Sequence, residues 1–412
     1  MKIALAHKFF HITGGAEVFF FECARVLEKN GHEVSFFSTK SELNRPTSDE
    51  RYFIKAPEYR EGSLLSRASQ IGRMAYSKQA KERFAQLLAD KKPDLVHVFA
   101  IHVHLSPSIL VAAHEVGVPV VMSCNDYKHI CPNYKLYHHG HICTDCVGGK
   151  FYKAAINRCC KDSLTYSVAS SIEAYVHGAM NVYEKYVHTF LFASEFMAKE
   201  TERFWQRSFR WRMLRNPFDS TQFPLSSEAD DYGLFFGRLV EEKGVDVLLR
   251  AAAQAPQVRL KIVGDGPESA RLEKFARELG LAGVEFLGPV WGDDLNRLLA
   301  RCRFVVVPSV WHENFPYVIN QAFAFGKPII GSDRGGIPEL VDHGRRGLIY
   351  GAEDPVTLAE AMRQLWEAPE CARAMGLEAK RFSDVNFNDR KFYESLVTIY
   401  QEVLDERTRI GG

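Results

Sequence analysis

The sequence predicts an α/β protein of two doubly wound parallel sheets, and three observations predict it. Short apolar, β-branched runs alternate with helix-length segments along the chain, the pattern of parallel strands buried on both faces. A length of 412 residues exceeds one ordinary core, so two domains are expected. A polar, proline-containing stretch over 216–230 separates two such alternating sets and reads as the hinge.

In chain order, strands are expected over 3–7, 33–38, 95–99, 118–123 and 190–193, which makes residues 1–217 the first domain. A second set over 233–236, 260–263, 284–287, 304–307 and 328–330 makes residues 218–388 the second. In the tail, 389–412, Phe392, Leu396, Ile399, Tyr400 and Val403 recur at helical spacing. A cysteine-rich insertion occupies about 127–162 of the first domain.

With 46% hydrophobic and 25% charged residues the composition is that of a soluble globular protein. No apolar run approaches the roughly 18 residues of a membrane span, and Met1-Lys2 leads straight into a strand-like run without a signal-peptide layout. A cytoplasmic protein is therefore expected. The formal charge of +1 hides a polar molecule: residues 1–217 carry 29 Lys+Arg against 21 Asp+Glu, net +8, and residues 218–412 carry 23 against 30, net −7.

The most informative stretch is 311–350. Glu313 follows the apolar run 304–307, at the carboxyl end of a parallel strand, where open α/β sheets bind ligands. Asn314 and Phe315 share its loop, and Pro316 can open a helix over 317–325 that carries Gln321. The next strand leads to Gly335-Gly336, whose backbone can come close to a phosphate or sugar. Gly237-Arg238 to Lys243 sets two cations beside another strand end, a forked donor and a point charge suited to a diphosphate; a solvated basic pair would read the same. Gly264, Gly266 and Pro267 form a GxGP turn, by itself a weak signal. Near the N-terminus Gly14-Gly15 precedes a helix, whose free N–H groups can face an anion, although a tight turn needs glycine too.

These stretches resemble retaining glycosyltransferases of family 4: the E-x7-E pattern with its following strand and Gly-Gly loop, G-R-x3-E-K-G, GxGP, and the NP-x-D stretch that begins at Asn216. The resemblance extends over essentially the whole chain. It implies a GT-B fold, two Rossmann-like domains facing a central cleft with a C-terminal helix returning to the first. It further implies transfer of a sugar from a nucleoside diphosphate donor to an acceptor hydroxyl with retention, in polysaccharide, O-antigen or glycolipid biosynthesis, and without a catalytic metal. By resemblance Glu313 would hold donor-sugar hydroxyls, Arg238 and Lys243 the diphosphate, and Gln321 the ribose. Gly335 and Gly336 would bind the donor by backbone, as would Gly237, Gly264, Gly266 and Pro267 around the nucleotide, and Gly15 from the first domain. Two departures stand out. Gln321 occupies the place of the family's second Glu, which leaves reduced activity or an engineered replacement open. Asn125 precedes Asp126 where many members have His-Asp, so this position cannot act as a base near neutral pH and is left with positioning the substrate, while Asp126 would orient the sugar or its own loop.

In the insertion, Cys143 and Cys146 form a CxxC, with eleven residues between it and Cys131 and twelve between it and Cys159, which Cys160 follows. Cys131, Cys143, Cys146 and either Cys159 or Cys160 can close a structural zinc tetrahedron; His129, His138, His139 and His141 can substitute, and free thiols in a reducing compartment are the alternative.

Residues 203–215 interleave Arg203, Arg207, Arg210, Arg212 and Arg215 with Phe204, Trp205, Phe209 and Trp211, and 67–92 adds cations. An anionic membrane surface is the expected partner, giving peripheral attachment at the inner face, beside a glycan or lipid-linked acceptor. A core helix explains some of these aromatics. Nucleic acid would use the same ingredients but is not the expected partner. Two rival functions share the motifs: a non-catalytic nucleotide-sugar-binding relative, and a sugar-nucleotide epimerase or phosphorylase of the same fold.

Overall fold

The computed structural model describes residues 1–56, 72–226 and 230–410, with side chains through residue 406. Of the cationic stretch 67–92, Arg67 lies outside the described residues, and Lys78–Lys91 is helical. The chain forms two compact units, Met1–Leu136 with Cys143–Pro217 and Phe392–Gly412, and Tyr137–Ile142 with Phe218–Lys391.

The first unit is built on a six-stranded, fully parallel sheet: β1 (Lys2–Ala6), β2 (Glu33–Phe37), β3 (Leu95–Val98), β4 (Val120–Cys124), β5 (Thr189–Phe192) and β6 (Trp211–Met213) in the order β6-β5-β4-β3-β1-β2. Period-two alternation divides the strands between two cores. Ala4, Ala6, Val96, Val98 and Met122 face one, and Ile3, Leu5, Leu95 and Val121 face the other. The second core is completed by helix α1 (Gly15–Lys29) and by the C-terminal helix Asp389–Ile410, whose Phe392, Leu396, Ile399, Tyr400 and Val403 are all buried in it. Tyr400 also reaches His97 Nδ1 at 2.7 Å, while His97 Nε2 bonds Ser123 at 2.8 Å, so the helix is registered by a polar chain inside an apolar face.

The second unit has its own parallel sheet: β7 (Gly233–Phe236), β8 (Leu260–Val263), β9 (Val284–Gly288), β10 (Phe304–Val307), β11 (Ile329–Ser332) and β12 (Gly347–Tyr350) in the order β9-β8-β7-β10-β11-β12. The hairpin Tyr137–Ile142, supplied by the cysteine-rich insertion, belongs to this unit, with Tyr137 buried in its core. Three of the ten expected strands have the expected bounds; the others shift at their ends, 118–123 to Val120–Cys124 and 328–330 to Ile329–Ser332. Two strands of these six-stranded sheets escaped the sequence reading. Trp211–Met213 is a three-residue edge strand containing an arginine, and Gly347–Tyr350 follows a polar Gly-Arg-Arg stretch that hides its apolar run. Among the described residues no helix is long and apolar enough to cross a membrane.

Replacing Leu396, fully buried in the C-terminal helix, by Ala is expected to lower the stability of the first unit by about 2–5 kcal/mol in urea unfolding. A loss below about 1 kcal/mol would mean that the helix contributes little to that core.

Candidate donor-binding site

β7 and β10 are neighbours at the centre of the second sheet, and the chain leaves them in opposite directions, toward β8 and toward β11. The loops at their carboxyl ends therefore border the crevice where an open α/β sheet accepts a ligand. The loop after β7 carries Arg238 and Lys243, and the loop after β10 carries Glu313. The two are stitched by the Val310 amide donating to Glu242 O at 3.0 Å.

Lys243 Nζ lies 2.6 Å from Glu313 Oε1, and the Ser309 hydroxyl donates to the same oxygen at 2.7 Å. Glu313 is 5% exposed. Burial on its own pushes this carboxyl up, but the charge of Lys243 and the hydrogen bonds from Lys243 and Ser309 outweigh it and hold the carboxyl below the usual glutamate range. Glu313 is thus an ionised acceptor at neutral pH. The expectation had given Lys243 to a diphosphate and Glu313 to a sugar; here each is the other's partner, so a ligand would meet them as one unit. Arg238 is exposed at the same strand end.

The Gly-Gly loop closes on Glu313 from behind. Gly335 has φ +61°, and a Cβ there would stand 2.1 Å from Glu313 O, so only glycine fits. The Gly336 amide donates to that same carbonyl at 2.7 Å. The GxGP turn serves a similar purpose next door: a Cβ on Gly264 would fall 1.8 Å from Gly237 O. The amides of these turns already have partners, Gly237 N–H to Val263 O, Gly264 N–H to Gly288 O at 2.8 Å, and Gly266 N–H to the Ser269 hydroxyl at 2.9 Å. Pro267 is exposed. Phe315 and Pro316 are buried, the Phe315 ring 5.6 Å from that of Phe387, which makes them the support of the Glu313 loop. Asn314 and Gln321 are half-buried, Gln321 on the helix Tyr317–Ala324. One residue of that helix was missed: Asn320 is fully buried and neither polar atom of its amide has a hydrogen-bond partner. A polar side chain inside an otherwise apolar helix run, IN before QAF, was the available signal.

In the first unit the strand order reverses between β1 and β3. Gly15 begins α1 there and is exposed, but the first turn already contains a buried carboxylate: Glu17 accepts from the Thr13 hydroxyl at 2.9 Å and lies 3.6 Å from His7 Nε2. That carboxylate competes with any phosphate for the helix terminus. Burial, helped by Lys8, pushes His7 down to about 3 and His104 down to about 4, and burial lowers His102, which bonds the Tyr183 hydroxyl at 2.9 Å. A group of neutral imidazoles thus surrounds this strand-end region. Sequence reasoning missed it, although the IHVH run after β3 was its signature. Asn125 and Asp126 are half-buried at the end of β4, where Asp126 accepts from the Lys128 amide at 2.9 Å and so orders its own loop. Lys128 forms a buried ion pair with Glu173 at 2.8 Å.

The cysteines of the insertion gather in the same unit. Among the described residues, however, no three of the sulfurs of Cys131, Cys143, Cys146, Cys159 and Cys160 lie within 4.8 Å of one another, so the expected tetrahedron is not formed by them. Burial pushes the Cys131 thiol up to about 11 and that of Cys146 up to about 12. Among the histidines offered as substitutes, His129 is buried and bonded to the Thr201 hydroxyl at 2.8 Å.

Residues 203–215 are arranged differently from the expected surface segment. Phe204 is buried and Trp205, Phe209 and Trp211 pack on the core, while Arg207 pairs with Glu184, Arg210 with Glu406, and Arg212 with Glu402 at 3.0 Å. Most of these cations are neutralised within the fold.

The family described as Glycosyltransferase Family 4 matches residues 13–222, and the one described as Glycosyl transferases group 1 matches residues 219–382. The chain belongs to Glycosyltransferase Family 4. The two matched regions meet near the hinge, the first model lying on the first unit and the second on the second unit. An uncharacterized glycosyltransferase of Methanocaldococcus jannaschii is 32% identical over 182 residues, 44% of this chain and 51% of that protein. The chain spans about half, or less, of the length of the curated relatives it matches. Among solved structures, sucrose-phosphate synthase from Thermosynechococcus elongatus superposes with a TM-score of 0.72 at 19% identity, over 98% of this chain and 99% of that one. Anabaena HepE in complex with UDP-glucose gives 0.61 at 19% identity, over 98% and 100%. The fold is GT-B.

Because Glu313 is buried and ionised by virtue of Lys243, removing the cation alone should be costly. Lys243→Met is expected to lower stability by about 3 kcal/mol at pH 7, with most of the loss recovered in Lys243→Met/Glu313→Gln. The Glu313 contribution is present above the ordinary glutamate pKa and is lost as pH falls through its lowered value, so wild type and Glu313→Gln should converge in acid. Denaturant titrations from pH 3 to 8 read both effects; a pH-independent gap would remove the ion pair from the account.

Proposed function

We propose that this chain transfers a sugar from a nucleoside diphosphate sugar to an acceptor hydroxyl with retention at the anomeric carbon. The observation that carries the reading is the Lys243–Glu313 pair at the switch point between β7 and β10, with Arg238 exposed beside it. Arg238 forks two donors onto diphosphate oxygens, and Lys243 adds a point charge that offsets the negative charge growing on the leaving nucleotide. Glu313, kept ionised, accepts from donor-sugar hydroxyls and fixes the sugar's orientation. Gln321 faces the ribose, with one acceptor oxygen where a carboxylate would offer two. Retention follows if the leaving phosphate itself takes the acceptor's proton on the face from which it departs; the protein then supplies orientation and charge.

The acceptor belongs to the first unit in this reading. Neutral His102 and His104, Asn125 and the exposed Gly15 offer donors and acceptors suited to glycan hydroxyls, and no group there needs to act as a base. The acceptor class is a glycan or lipid-linked glycan of polysaccharide, O-antigen or glycolipid assembly.

Arg238→Ala should weaken nucleoside diphosphate binding by about ten-fold or more in calorimetry without loss of stability, since the side chain is exposed and its charge-assisted contacts are worth roughly 1.5–3 kcal/mol. Unchanged affinity would move the diphosphate elsewhere. Gln321→Glu should raise donor affinity or turnover several-fold; a neutral or harmful result would mean a pocket built around the amide. The anomeric coupling constant of the product separates retention from inversion, and release of free sugar or of an epimer in place of a glycoside would favour the rival functions.

A further inference from the structure

A surface helix of a globular protein turns its charges to solvent and its apolar residues to the core, and the helix Leu164–Met180 does the reverse over 17 residues. Its inward face is polar. The Ser167 hydroxyl accepts from the Cys160 amide at 3.0 Å, Ser171 donates to Phe151 O at 2.8 Å, Glu173 pairs with Lys128 at 2.8 Å, and His177 bonds Ala75 O at 3.0 Å. Its outward face is apolar. Leu164, Val168, Ile172 and Tyr175 recur every three or four residues and so form one stripe, and each of them is exposed, as are Tyr166 and Met180 nearer the two ends. The orientation is fixed from inside: turning the stripe inward would leave Lys128, a buried cation, without its carboxylate.

The apolar surface continues beyond this helix. The Tyr152 amide donates to the Tyr175 hydroxyl at 3.2 Å, and the Phe151 ring stands edge-on to that of Tyr175 at 5.3 Å. These contacts fasten the short helix Tyr152–Ile156 alongside, and it adds exposed Tyr152 and Ile156, the latter 66% exposed. The rim is cationic. Residues 150–161 contain Lys150, Lys153, Arg158 and Lys161 and no Asp or Glu. Lys153 Nζ lies 5.8 Å from the centre of the Tyr152 ring and Lys161 Nζ 4.7 Å from that of Tyr166, so their stems follow the apolar surface and leave the ammonium groups at its edge.

An apolar face of this kind suits a second copy of the chain or a bilayer, and charge separates the two. A second copy would have to answer these cations with carboxylates from the same two helices. The one carboxylate on them is Glu173, and it is buried against Lys128. Asp162, between the helices in sequence, sets a single acid against four cations. An anionic bilayer matches both features, hydrocarbon for the stripe and headgroup phosphates for the rim, and Tyr152, Tyr166 and Tyr175 supply the amphipathic rings favoured at a membrane interface.

We infer that the face formed by Leu164–Met180 and Tyr152–Ile156 docks on an anionic phospholipid bilayer and lies in its interface. The arginines of 203–215 that meet Glu184, Glu402 and Glu406 take no part in it.

The test is co-sedimentation of the full chain with vesicles of phosphatidylglycerol and phosphatidylcholine. Binding is expected at low salt, weakened as salt rises and absent with phosphatidylcholine alone. The partition coefficient should fall about ten-fold or more in Ile172→Ser/Tyr175→Ser and in Lys150→Ser/Lys153→Ser/Lys161→Ser, since each cation near an anionic surface is worth roughly five-fold. Unchanged urea midpoints show that both variants fold. Ile172→Trp reads the same contact without removing any part of the face: its added emission should shift to the blue on the mixed vesicles and be quenched by brominated lipid. Retention of the protein in the supernatant at low salt overturns the inference, as does emission from Ile172→Trp that vesicles leave unchanged. Binding lost in Arg207→Ser/Arg210→Ser/Arg212→Ser but kept in the lysine variant would place the contact elsewhere. A stable dimer by analytical ultracentrifugation that Ile172→Ser/Tyr175→Ser dissociates would give the face to a second copy.

Discussion

The second unit depends on one buried charge and its partner. Glu313 sits where burial favours the neutral acid, and it is held ionised chiefly by Lys243, with Ser309 reaching the same oxygen. That requirement sets the local architecture. Glu242 is bound to Val310, so the loop carrying Lys243 is fixed against the loop carrying Glu313, and Gly335 must lack a side chain for the following loop to close on Glu313's carbonyl. An anionic ligand entering here would compete with Glu313 for Lys243, whereas a sugar hydroxyl would share the carboxylate with it. The pair therefore favours a ligand that brings both a phosphate and hydroxyls, in fixed relative positions.

The first unit solves a different problem. Its strand ends are rich in titratable groups, yet burial keeps the histidines neutral and pairs the deepest lysine, Lys128, with Glu173. The result is a polar region without net charge at its floor, suited to many weak hydrogen bonds. The inward demand for polar partners also shapes the helix Leu164–Met180. Because Ser167, Ser171, Glu173 and His177 are all used inside, the apolar residues of that helix are left on the outside.

The basic excess of the first half shows how composition can mislead about placement. The arginines of 203–215 form the most conspicuous cationic run in the sequence, yet Arg207, Arg210 and Arg212 meet Glu184, Glu406 and Glu402, two of them on a helix nearly two hundred residues away. The less conspicuous lysines at 150, 153 and 161 are the ones left beside exposed apolar surface.

The sequence by itself determined the inner strands of both sheets and the positions of the loops that carry Arg238, Lys243 and Glu313, because parallel strands buried on both faces are continuous apolar runs and the residues at their carboxyl ends follow directly. Phe304–Val307 and Gly233–Phe236 could be read without any knowledge of packing, and with them the loops of Glu313, Arg238 and Lys243. Short edge strands such as Trp211–Met213 carry no such signal, since an edge tolerates charge. What only the tertiary structure decided was pairing across long sequence separation: that Lys243 belongs to Glu313, that Arg210 and Arg212 meet Glu406 and Glu402, and that the polar side of Leu164–Met180 points inward. Hydrophobic periodicity assumes that apolar residues face the core, and it fails for that helix because the core there is polar.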